Sequence, residues 1–176
     1  MSFPEAEFRE SVAPVLLEFG TTVWHCQMFE DNLCFLLALV SEHETPSDGK
    51  AFLASWDNNM KKTLGNLVGA LVRLIDVPND LEEFLWVAVV KRNAIVHGYM
   101  TRNTMKLFQP KGRLEMIDEL KYLRGDVDSR DHAIEQLILA LLTKYGVRSH
   151  ALRAAAERNW RYANLEPPAG DTTGRH

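Results

Sequence analysis

Apolar side chains recur every three or four residues along nearly the whole chain, and the strict alternation of a half-buried strand is missing. The first such stretch predicts a long helix over about 12–43, with Val23, Phe29, Leu33, Leu36, Leu37 and Val40 on its apolar stripe. Pro14 fits the first turn of that helix, where a missing N–H removes no hydrogen bond. The turn-forming run ETPSDGK at 44–50 ends it. Two shorter helices are expected over 50–62 and 63–76, and Pro78 stops the second. Gly65 and Gly69 lie four apart on one face of that second helix, which allows a neighbour to pack closely.

A helix over 80–98 follows, capped by Asn79 or Asp80, with Glu82 and Glu83 complementing the dipole in its first turn and Gly98 as terminator. Residues 99–112 read as less regular. Helices are then expected over 113–123, from Asp128 or Ser129 to Gly146, and over 148–163, the last arginine-rich and amphipathic. The tail LEPPAGDTTGRH has the composition of a disordered segment. The pattern therefore predicts an all-α fold: an antiparallel bundle of about five to seven helices, with a single domain over 1–164 and a disordered tail over 165–176.

Composition narrows the class. At 176 residues and 46% hydrophobic the chain can bury a core, and two cysteines exclude a disulfide framework. Cys26 and Cys34 are eight apart on one predicted helix, about 12 Å along its axis and too far to bridge. The acidic amino-terminal segment lacks the pattern of a signal peptide, and the longest apolar run, CFLLALV, is too short to span a bilayer. The expectation is a cytoplasmic protein with no membrane partner. Net charge is -4, so a surface that coats nucleic acid throughout is excluded.

Charge is nevertheless segregated. Residues 1–48 hold nine carboxylates and one basic side chain, Arg9. Residues 84–114 hold Lys91, Arg92, Arg102, Lys106, Lys111 and Arg113 and no acidic residue. That segment suggests a local anion site, with Lys91, Arg102 and Lys106 as phosphate-binding candidates.

Within it, the run KRNAIVHGYM follows the almost wholly apolar LEEFLWVAVV. On a helical wheel Arg92 shares the stripe of Leu81, Phe84, Leu85, Ala88, Ile95 and Tyr99, so its charge requires a counter-ion or an anion-admitting cleft. A buried ion pair with Glu30 or Asp31 is the plain alternative. Asn93 and His97 share another face, and Arg92 and His97 diverge by about 140° on a straight helix. Bringing all three together calls for a helix end near His97 or a second copy of the chain.

Arg92-Asn93-Ala94-Ile95-Val96-His97 resembles the Rx4-6H motif of HEPN domains, with the polar residue those proteins carry after the arginine. The resemblance extends through Arg-x4-His-x-Tyr to HEPN toxins paired with an MNT nucleotidyltransferase antitoxin. It covers about 80–100 of the chain. It implies a helical homodimer and a metal-independent endoribonuclease, cytoplasmic and serving as a toxin or defence effector. Arg92, Asn93 and His97 are then the catalytic residues, RNA is the partner, no cofactor or metal takes part, and the product is a 2′,3′-cyclic phosphate. It further implies a nucleotidyltransferase partner that adenylylates Tyr99.

The chemistry suits these residue types. RNA supplies its own nucleophile, the 2′-OH. Histidine exchanges protons near neutral pH, and arginine forks onto phosphate oxygens while always cationic. Asn93 can orient the imidazole or donate to the phosphate. The bland alternatives are a helix-end histidine, an aromatic core Tyr99 and ordinary buried thiols near His25 and Glu30. A non-catalytic helical dimer that binds a nucleotide, RNA or a protein through the same cleft is the competing function.

Overall fold

The computed structural model describes residues 5–44, 49–75 and 77–144. These residues form six helices and no strand: α1 (Glu5–Glu44), α2 (Lys50–Asn59), α3 (Leu64–Leu74), α4 (Asn79–Arg102), α5 (Thr104–Leu107) and α6 (Pro110–Lys144). The chain divides into two compact units, residues 1–136 and 137–176, and the described part of the second is the end of α6. The expected helix over 148–163, the tail over 165–176 and part of the 44–50 turn lie outside the described residues. Among the described residues no helix is long and apolar enough to cross a membrane.

α1 starts two turns earlier than the pattern predicts, which leaves Pro14 inside the helix. Pro14 and Glu10 are exposed, so the carbonyl that loses its N–H partner faces water. Phe8 stacks on Phe108 at 5.4 Å and fixes the extra turns. From Leu33 to Val40 every α1 residue except Phe35 is buried, because α2, α3 and α4 pack around this half. The α2 amino terminus is capped from α1: Glu42 accepts from the Gly49 N–H at 2.9 Å and the Phe52 N–H at 3.0 Å. Thr63 caps α3 through its hydroxyl.

α4 is the central helix of the first unit. It meets α1 where Phe19 stacks on Tyr99 and where Glu30 pairs with Arg92. It meets α6 through Tyr99 and Met116, through Lys91 and Asp126, and through Phe84 and Arg130. In each pairing the residue numbers rise on one helix and fall on the other, so α4 is antiparallel to both. α1 and α6 instead run parallel, through Glu18–Arg124, His25–Asp128 and Asn32–Asp131. That parallel pair follows from the antiparallel bundle itself, because two helices that each run antiparallel to α4 run parallel to one another.

Two expected helix ends are absent. Gly98 does not terminate α4, which continues to Arg102. Burial of Ile95 and Tyr99 and the Asn103 N–H bond to the Tyr99 carbonyl hold the last turn against the roughly 1 kcal/mol cost of a helical glycine. Likewise 113–123 and the segment after Asp128 are one helix, α6. Asp128, one of the two expected caps, instead pairs with His25, and Asp126 two residues earlier binds Lys91 and Arg130. Gly112 is required near the start of α6, because a Cβ there would overlap the Lys106 backbone.

Candidate functional site

Arg92 lies at the edge of the buried stripe of α4, and its side chain is 20% exposed. Its Nε donates to Glu30 of α1, the counter-ion that an arginine on this stripe requires. Its Nη1 lies 3.2 Å from Asn93 Oδ1 and 3.1 Å from His97 Nε2. A guanidinium only donates, so His97 Nε2 is the acceptor and the ring proton of the neutral imidazole sits on Nδ1. The Nη2 hydrogens carry no hydrogen bond to a described residue. Asn93 and His97 are exposed, so the cluster opens to solvent.

The 140° divergence of Arg92 and His97 is bridged by the arginine itself, whose long side chain runs along the helix surface. The expected helix end or second copy is not needed for the contact: all three residues meet inside one regular helix of one chain.

The basic residues around this cluster separate into two groups. Arg102 folds back over Gly98 and donates to the Ala94 carbonyl at 2.9 Å, placing its guanidinium on the turn beside His97. Lys91 instead reaches Asp126 at 2.7 Å, and Lys106 lies 3.9 Å from Glu115 and 3.8 Å from Glu119. With Lys111, which lies 3.9 Å from Glu115, three of the six basic residues at 84–114 are thus answered by carboxylates of α6. Sequence proximity hid this, because those carboxylates begin only after residue 114.

Tyr99 is two residues from His97 and faces the opposite way, about 200° round the helix. It is 1% exposed and packs with Val15, Met116 and Leu120. Its hydroxyl donates to the Met116 carbonyl at 3.0 Å and lies 3.1 Å from Glu119 Oε2. Burial and the Glu119 carboxylate push the phenol far above its usual pKa. A reagent reaches that oxygen only when the α4–α6 contact opens.

A cavity of about 330 Å³ adjoins the cluster on the far side of Glu30. Gln27, Glu30, Asp31 and Cys34 of α1 line it, with Asn59 and Lys62 from the α2–α3 turn. The sequence pattern gives no sign of it, since its walls come from segments about thirty residues apart that meet only after α2 folds back on α1. Burial raises both Cys26 and Cys34 to about 11, so these thiols stay protonated at neutral pH. Among the described residues no three histidine, cysteine or acidic side chains are placed to hold a metal ion.

The chain matches no family model, no curated protein and no solved structure.

Proposed function

We propose that this chain is a HEPN-type, metal-independent endoribonuclease. The observation that carries the reading is the 3.1 Å contact between Arg92 Nη1 and His97 Nε2 on a solvent-open face, with Asn93 beside it. A scissile phosphate takes the Nη2 edge of Arg92, where no described residue competes, and the guanidinium stabilises the charge of the pentacoordinate transition state. Phosphate binding draws Arg92 away from the imidazole and frees the Nε2 lone pair to take the 2′-OH proton. The 2′-oxygen attacks phosphorus, the bond from phosphorus to the 5′-oxygen breaks, and the products are a 2′,3′-cyclic phosphate and a 5′-OH. Arg102 on the adjacent turn steadies the neighbouring phosphate.

Two protons move in this reaction and the cluster holds one imidazole. A homodimer that sets two clusters face to face supplies the second as the acid for the 5′-oxygen. The exposed Trp86 and Val90 continue the His97 face of α4 and suit such an interface. A toxin or defence effector is the matching role, with a nucleotidyltransferase as its restraining partner.

One observation favours a second reading, a non-catalytic module that binds nucleotide or RNA: Glu30 already neutralises Arg92. Incubation of a mixed RNA pool in EDTA separates the two. The nuclease reading expects cyclic-phosphate ends from the wild type, and none from Arg92→Ala or His97→Ala. RNA that binds but stays intact selects the module.

A further inference from the structure

The cavity beside Glu30 holds a carboxylate that no described residue answers. Glu30 lines the cavity and also accepts from Arg92 Nε, so the cavity lies one guanidinium away from His97. Its volume, about 330 Å³, is at the small end for ligand pockets and suits one flat heterocycle. On one wall Lys62 Nζ donates to Asn59 Oδ1 at 2.9 Å, and Asn59 Nδ2 lies 3.2 Å from Ser55 Oγ, so the ammonium and the amide fix each other. On the other wall Asp31 is half-buried and makes no hydrogen bond or ion pair with a described residue. Burial, reinforced by the neighbouring Glu30, raises its pKa above the ordinary carboxylate value. A partly desolvated carboxylate without donors is completed by a ligand that brings N–H groups.

We propose that this cavity receives the base next to the scissile phosphate and that Asp31 selects guanine there, an inference that rests on the endoribonuclease reading above. Guanine alone among the four bases presents two adjacent N–H donors, at N1 and N2, beside an acceptor at O6. A carboxylate accepts both donors in parallel, and the Lys62 ammonium opposite donates to O6 or N7. Adenine sets the N1 lone pair against the carboxylate. Uracil offers one N–H between two carbonyls, and cytosine offers one amino group beside two acceptors. Single-stranded RNA splays its bases far enough for such an edge to be read. The position also divides the work between two adjacent acids of α1: Glu30 holds Arg92 for the phosphate, and Asp31 reads the base.

The test pairs cleavage with binding. Uridine-rich oligoribonucleotides carrying one guanine, adenine or inosine are digested in EDTA by the wild type and by Asp31→Asn. GMP and AMP are titrated into the same two proteins by calorimetry. The wild type should cut beside guanine at least about tenfold faster than beside adenine, with inosine, which lacks the 2-amino group, in between. Asp31→Asn should bring the guanine-to-adenine ratio close to one, and the matching GMP preference in binding should vanish with it. Cleavage without guanine preference, or a preference that Asp31→Asn retains, overturns the proposal and leaves the Arg92–His97 reaction standing. If the wild type cuts no RNA, the reaction itself falls and binding decides the pocket: equal affinity for GMP and AMP overturns it.

Discussion

Lys91 and Arg92 are consecutive cations on α4, yet they enter opposite kinds of environment. Lys91 points into the seam with α6, where Asp126 also holds Arg130, and Arg130 in turn donates to the Phe84 carbonyl and lies 4.2 Å over the Phe84 ring. Every charge in that group has its partner, and the Arg130 side chain is 8% exposed. Arg92, a 100° turn away, binds Glu30 through Nε and His97 and Asn93 through Nη1, and its Nη2 meets no acceptor among the described residues. The closed group is built for stability, since breaking a buried pair costs far more than an exposed one returns. The open group leaves donors available to a ligand. The difference lies in unused donors, not in the number of charges.

The sharpest test crosses the two groups. His97→Ala should lower metal-independent cleavage at least about a hundredfold, the scale of a lost proton-transfer group, while calorimetric unfolding stays within error of the wild type. Asp126→Ala should do the reverse: about 3 kcal/mol of stability lost in denaturant titration, with the cleavage rate per folded molecule unchanged. If Asp126→Ala were to abolish cleavage in folded protein, the two groups would be one site and the contrast would fail.

Acid titration probes the same carboxylate. Burial alone would raise the Asp126 pKa, but hydrogen bonds from Arg130 and Lys91 outweigh it and hold the group below its ordinary 3.8. A carboxyl lowered in the folded state adds stability above 3.8, and that stability is lost as pH falls through the folded value. The stability gap between wild type and Asp126→Asn should therefore be flat at neutral pH and close below 3.8. A gap that stays constant into strong acid would assign the effect to packing.

Smaller effects refine the open group. Glu30→Gln keeps an acceptor for Arg92 and removes its counter-charge, so RNA should bind about fivefold tighter at low salt, with the gain fading as salt rises. Weaker binding would mean that Glu30 contributes to recognition directly. Tyr99→Phe should cost about 1 kcal/mol in unfolding and leave cleavage unchanged, because its hydroxyl serves the Met116 carbonyl on the face opposite His97.

The helical class, the central place of α4 and the need of Arg92 for a counter-charge or an anion-admitting cleft were legible in the residues. Each follows from local periodicity or from the cost of an unpaired charge on an apolar stripe. The breaks expected at Gly98 and near Asp128 were not real, because buried Tyr99 and interhelical carboxylate pairs override local propensity. The basic segment holds no acid of its own, yet Lys91, Lys106 and Lys111 meet carboxylates later in the chain and Arg92 meets one far earlier.

The sequence by itself determined the helical class and which functional groups the chain presents, since periodicity and side-chain chemistry are properties of residue type. Only the tertiary structure decided which charges remain open. Whether Arg92 or Lys91 has a free edge, whether Tyr99 is sealed, and whether Asp31 faces a cavity depend on which distant helix arrives beside them. That is a matter of packing geometry, which no local pattern encodes.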